Sequence, residues 1–168
     1  VTGTGMTDLT ITMSATTNPW SIVRYDCAAG ANTVTVDGGG DVLTVRDFTM
    51  TSGTLTFTND NNFFVTETFA FVAGTINHGT TNGNTPATFS VPAATIPAGA
   101  TLNLQGGASF EIYFVSNLTL NGTLDLGSDT ITVNVSGHWV HNTGGALNNA
   151  TNSTVDLNGS GKELQGTL

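Results

Sequence analysis

Cysteine occurs once in this sequence, at Cys27. No disulfide can close within the chain, and zinc sites built on several thiolates are excluded. A bridge between chains is the only disulfide left open; otherwise a lone Cys packs as a small apolar residue. Basic residues are nearly as scarce. Arg24, Arg46 and Lys162 stand against twelve acids, for a net charge of −9. Phosphate backbones need clustered cations, so nucleic acid is excluded as a partner, and an anionic membrane surface with it. The bland use of such acidity is solubility. Charged residues make up 9% of the chain, far below the ~25% of ordinary soluble domains. That deficit excludes a mainly helical surface, which needs Glu, Lys and Arg. No apolar run approaches the ~18 residues of a membrane span. The sequence opens at Val1 with neither an initiator Met nor a signal-peptide pattern, so it reads as a mature chain or an excised segment.

What fills the vacancy is Thr, Asn, Gly and Ser, and they recur with a period. A small residue, then Thr or Ala, then an aliphatic appears at Gly53-Thr54-Leu55, Gly74-Thr75-Ile76, Ala100-Thr101-Leu102, Gly122-Thr123-Leu124, Gly145-Ala146-Leu147 and Gly166-Thr167-Leu168. Asn32-Thr33-Val34 fits upstream with Asn for Gly. The steps between aliphatics are 21, 21, 26, 22, 23 and 21 residues. Each step holds further short alternating runs broken by Gly, Asn or Asp, such as Ile131, Val133 and Val135 alternating with Thr130, Thr132 and Asn134. Alternation of this kind reads as strands with turns between them. Three short strands and three turns in about 22 residues suit one triangular coil, with consecutive coils paired in parallel ~4.8 Å apart. The expected fold class is therefore all-β, a three-faced parallel β-solenoid. An antiparallel sandwich is the alternative, but it needs no fixed period.

One inward column is expected at Val34, Leu55, Ile76, Leu102, Leu124, Leu147 and Leu168. A second runs through Val36, Phe57, Leu104 and Leu126, with His78 and Asn149 in the same register predicting a looser face there. Residues 1–32 read as a modified first coil or cap-like segment, and 33–168 as solenoid coils. Within these, 77–101 is an irregular, loop-rich coil, because Thr80–Pro86 reads as a protruding loop and Pro86, Pro92 and Pro97 cannot donate to a ladder.

Two stretches carry a resemblance. Ser136-Gly137-His138-Trp139-Val140-His141-Asn142-Thr143-Gly144-Gly145 is followed by Ser153-Thr154-Val155-Asp156-Leu157-Asn158-Gly159 and Leu164-Gln165-Gly166-Thr167, and Asp47–Leu55 has a similar strand-to-turn form. Together they resemble the repeat of large secreted bacterial β-strand-repeat proteins, over roughly Val34 to Leu168. The resemblance implies a parallel β-helix, export to the cell surface, and an adhesin-like, passenger-like or fibre role.

Chemistry finds little to stand on. No nucleophile elbow, zinc-protease helix or phosphate loop is present, so no catalytic residue is assigned. Glu67, Glu111 and Glu163 are isolated. The pairs Asp37/Asp41 and Asp125/Asp129 straddle Gly-rich turns, where Asp bonds nearby backbone N–H groups. They are also the weak metal candidates, for calcium, which favours oxygen ligands; no other cofactor is indicated. A polysaccharide-degrading enzyme of β-helix type would need facing carboxylates or a placed base. His138 and His141, three apart on one strand, fall on opposite faces, which disfavours a shared metal. The sequons at Asn117, Asn121, Asn134, Asn149, Asn152 and Asn158 are surface candidates for glycosylation.

The most regular surface feature is an outward ladder of Thr33, Thr54, Thr75, Thr101, Thr123 and Thr167, broken by Ala146. Two residues on lie Thr35, Thr56, Asn77, Asn103, Asp125 and Asn148. Such rows pair through their side chains or form a flat face for a glycan. Gly166, Thr167 and Leu168 open a further coil, which predicts stacking at that end, either within a longer solenoid or on a second copy. The expected function is an extracellular structural protein, a self-associating fibre subunit or stalk segment. The alternatives are a carbohydrate- or surface-binding adhesin module, then the β-helix enzyme.

Overall fold

Alternating Thr-rich segments set the strands, and Gly and Asn set the corners. A computed structural model describes residues 8–12, 17–26, 33–37, 42–58, 62–78, 88–104, 111–127, 130–149 and 153–166. The first coil holds β1 (Asp8–Thr12) and β2 (Thr17–Asp26). The second holds β3 (Thr33–Asp37) and β4 (Val42–Ser52), and the third β5 (Thr54–Thr58) and β6 (Asn62–Phe71). The fourth holds β7 (Thr75–His78), β8 (Thr88–Val91) and β9 (Ala94–Ile96), and the fifth β10 (Thr101–Leu104), β11 (Glu111–Phe114) and β12 (Leu118–Leu120). The sixth holds β13 (Thr123–Asp125), β14 (Thr132–Val135) and β15 (Trp139–His141), and the seventh β16 (Ala146–Asn148), β17 (Thr154–Leu157) and β18 (Leu164–Gly166).

Like stacks on like. One sheet runs β1-β3-β5-β7-β10-β13-β16, a second β2-β4-β6-β8-β11-β14-β17, and a third β9-β12-β15-β18. The ladders are parallel, and the chain is an all-β parallel solenoid with about 22 residues per coil. The antiparallel sandwich is thereby excluded. In the first sheet Val34 pairs with Leu55, Leu55 with Ile76, Ile76 with Leu102, Leu102 with Leu124, and Leu124 with Leu147. Upstream, Leu9 pairs with Val34, so β1 takes the same register as the coils that follow. Leu168 and Thr167 lie outside the described residues.

The strands are less even than three per coil. β4 and β6 each run through what become two separate strands in later coils, with a register shift between Val45 and Asp47. A local irregularity bends the strand without ending it. From the fourth coil on, a true corner separates β8 from β9, and Pro92 occupies it. Pro97 follows β9, where its carbonyl accepts the Ala100 N–H at 3.0 Å. Both prolines thus withhold an N–H that the strand ladder does not use, and β8 and β9 pair onward with β11 and β12. Pro86 lies outside the described residues.

Inside the stack, alternate residues from each sheet meet in one continuous core. Its middle is aromatic. Phe63 lies 5.4 Å from Phe48, 4.9 Å from Phe57 and 5.6 Å from Phe89, ring centre to ring centre. His78 does not loosen the face it sits on. It is 1% exposed, 5.0 Å from the Phe57 ring and 5.5 Å from Phe89, so rings from two coils make a place for it. Asn149 does leave the core: its φ is 57° and it is exposed. Tight corners also need glycine. At Gly74, φ is +100°, and a Cβ would stand 2.4 Å from the Gly53 carbonyl oxygen one coil below.

Candidate functional site

The first sheet brings the threonines of the spaced motif into one ladder. Thr33, Thr54, Thr75, Thr101 and Thr123 pair in succession, and Ala146 takes the next place. The neighbouring row is knitted together by its own side chains. Asn77 Nδ2 donates to Thr56 Oγ1 at 3.2 Å, and Asn103 Nδ2 donates to Asn77 Oδ1 at 2.6 Å. Corner asparagines repeat the device, with Asn142 Nδ2 donating to Asn121 Oδ1 at 2.7 Å. This side chain to side chain pairing spends polar groups on holding coil to coil.

Asp125 is the one metal candidate whose side chain is described. Its Oδ1 accepts the Gly127 N–H at 2.9 Å and Asn149 Nδ2 at 2.8 Å. Those bonds fix a turn, as Asp commonly does. Asp37 closes β3, and Asp41 and Asp129 lie outside the described residues. Among the described residues no three His, Cys, Asp or Glu side chains converge. Cys27 also lies outside them.

The two histidines do not share a strand, because β15 begins at Trp139, one residue after His138. His141 points inward and is 7% exposed, whereas His138 sits half-buried at the corner, its N–H donating to Asn117 Oδ1 at 2.9 Å. Trp139 Nε1 and His141 Nδ1 are both buried, with no hydrogen-bond partner among the described residues. Glu111 accepts a hydrogen bond from Tyr113, which raises the phenol above its ordinary value. Glu163 accepts Gln165 Nε2 at 3.0 Å. Asp47 meets Arg46 Nε at 2.8 Å, and that hydrogen bond, with a second from Thr68, holds its carboxyl below the usual carboxylate range. Glu67 lies 3.9 Å from the same nitrogen.

The face that differs from everything else is the last described coil. Leu147 and Leu157 are only partly buried, Val155 is 39% exposed and Leu164 47%. Their ladder partners one coil earlier, Leu124, Val135, Val133 and Trp139, are buried to 1% or less. Gly166, expected at the stacking end, pairs with His141 and is exposed. The period of the sequence reveals which residues form this face. It does not reveal how bare they are, because burial depends on what lies above. No helix is long and apolar enough to cross a membrane among the described residues. Comparison with family models, with curated proteins and with solved structures finds no match.

Proposed function

We propose that this chain is an extracellular structural protein, a self-associating fibre subunit or stalk segment that works by stacking coils. One observation carries the reading: side chains in the inward register of the seventh coil face open space. The backbone supports it. Among the described residues β16, β17 and β18 are each paired on one side only, and an unpaired strand edge beside an apolar row is a template for another strand. A further coil, from a second copy or from the same polypeptide, covers both at once. A head-to-tail contact that does not close gives a filament. The resemblance of the repeat to secreted bacterial β-strand repeats is what supports a cell-surface setting. The side-chain ladder of the first sheet fits a load-bearing role, since it ties the third, fourth and fifth coils together.

Electron microscopy and sedimentation of the full chain test this. Rods that lengthen with concentration are expected. Replacing Val155 and Leu164 together by Lys is expected to abolish lengthening and leave the β-type circular dichroism in place, because buried unpaired charge is costly at a stacking face. Compact monomers at every concentration, before and after substitution, overturn the proposal.

A further inference from the structure

An asparagine followed by glycine is open to attack by its own backbone, because no Cβ on the next residue shields the nitrogen. Two such pairs lie among the described residues, Asn121–Gly122 and Asn158–Gly159, and the fold treats them differently. In the first pair the nitrogen is engaged. The Gly122 N–H donates to the Ile96 carbonyl at 2.9 Å, and Gly122 is buried. Its asparagine oxygen accepts from Asn142 Nδ2 at 2.7 Å, so the two pairs differ at the nitrogen and not at the carbonyl.

In the second pair the nitrogen is free to react. Asn158 is exposed at the corner between β17 and β18. Among the described residues the Gly159 N–H has no hydrogen bond. The carbonyl it would attack is polarised, since Ser136 Oγ donates to Asn158 Oδ1 at 3.0 Å. The Lys162 stem folds over Gly159, with Cγ and Cε each 2.7 Å from where a Cβ would stand.

The geometry points to Asn158 as a site of spontaneous succinimide formation, a covalent ageing modification of the last described coil. The Gly159 nitrogen loses its proton to hydroxide and bonds to Asn158 Cγ. The Cγ–Nδ2 bond breaks, and ammonia leaves after taking a proton from water. Water then opens the ring at either carbonyl, giving aspartate or isoaspartate. The balance is one water gained and one ammonia lost, with no change of oxidation state. Ser136 is a positioning residue here: its hydroxyl faces the oxygen that carries negative charge in the tetrahedral intermediate. Isoaspartate routes the main chain through an added methylene in the corner that sets β18 on β15, where Leu164 covers Trp139. The inference stands apart from any reading of assembly.

The test is to hold the purified full chain in warm, mildly alkaline buffer and map peptides over time, with isotopically labelled water marking each new carboxylate. In the folded chain Asn158 is expected to convert on the order of tenfold faster than Asn121, whose nitrogen must first give up a hydrogen bond. In urea the two are expected to convert alike. Equal rates in the folded chain, or the same difference in urea, overturn the proposal. Ser136→Ala is expected to slow Asn158 several-fold, short of the ~10²–10³ contributed by a buried oxyanion donor. An unchanged rate removes Ser136 from the account.

Discussion

Val133 and Val155 are partners in one parallel ladder, and so are Trp139 and Leu164. Each pair occupies the same register and points to the same side of its sheet. Yet Val133 is 0% exposed and Val155 39%, and Trp139 is 1% exposed and Leu164 47%. The difference is the neighbour above. In a solenoid each coil buries its core face against the next, so stability is a sum of coils and interfaces, and a coil covered on one side has lost one interface. Apolar pattern alone therefore does not make core. The same alternation is interior in the sixth coil and partly exposed in the seventh.

The largest effect that tests this comparison belongs to the aromatic middle. Phe63→Ala leaves a cavity among Phe48, Phe57 and Phe89, and the expected loss is about 3–5 kcal/mol. Chemical denaturation followed by circular dichroism measures it. A loss below that of an end-coil substitution would mean that the middle is not the best-packed part. Next comes the pair itself. Val133→Ala is expected to cost about 2 kcal/mol from lost burial. Val155→Ala, in dilute solution, is expected to cost well under about 1 kcal/mol, since much of its surface stays in water. If the two costs match in dilute solution, something already covers the seventh coil. If the cost of Val155→Ala grows with protein concentration, a second copy covers it.

A smaller effect belongs to the outward row. Asn103→Ala removes the 2.6 Å bond to Asn77 Oδ1 and is expected to cost about 1 kcal/mol, the usual net value of such a bond. Val155 and Asn103 then differ in kind. The first is sensitive to association, and the second holds two coils of one chain together whatever the concentration. Thermal melts at two concentrations separate them.

How much of this was legible beforehand follows from what each feature depends on. The first sheet was legible to the residue, because Leu55, Ile76, Leu102, Leu124 and Leu147 each follow a small residue and a Thr or Ala at a fixed corner. Pairing bears that register out. The continuity of β4 and β6 was not legible, since it rests on a shifted ladder at Val45 and Asp47 that no residue type announces. His78 misled for a related reason. A polar residue in an inward register reads as a weak point, but Phe57, Phe63 and Phe89 come from three strands of two coils and only the fold unites them. Proline at 92 and 97 misled in the opposite sense, because a corner needs no donor there. Of the candidate site, the positions on the open face of the seventh coil could be read from the period; their exposure could not.

The smallest expected effect checks that the comparison concerns burial and not surface charge. Arg46 and Asp47 form the closest ion pair, at 2.8 Å, but both stand at the surface. Hydrogen bonding to Arg46 and Thr68 lowers the Asp47 carboxyl. A group whose folded pKa is depressed stabilises the fold above its unfolded pKa, and that contribution is lost as pH falls through the folded value. The contribution is therefore intact at neutral pH and disappears only in acid, below the ordinary carboxylate range. Exposed pairs are weak and screened by salt. Arg46→Ala is expected to leave the neutral melting temperature nearly unchanged and to flatten slightly its fall in acid, most visibly at low ionic strength. Melting curves across pH for both proteins read this directly. A loss at neutral pH as large as that of Val133→Ala would show that surface charge, and not the coil above, sets how firmly each coil is held.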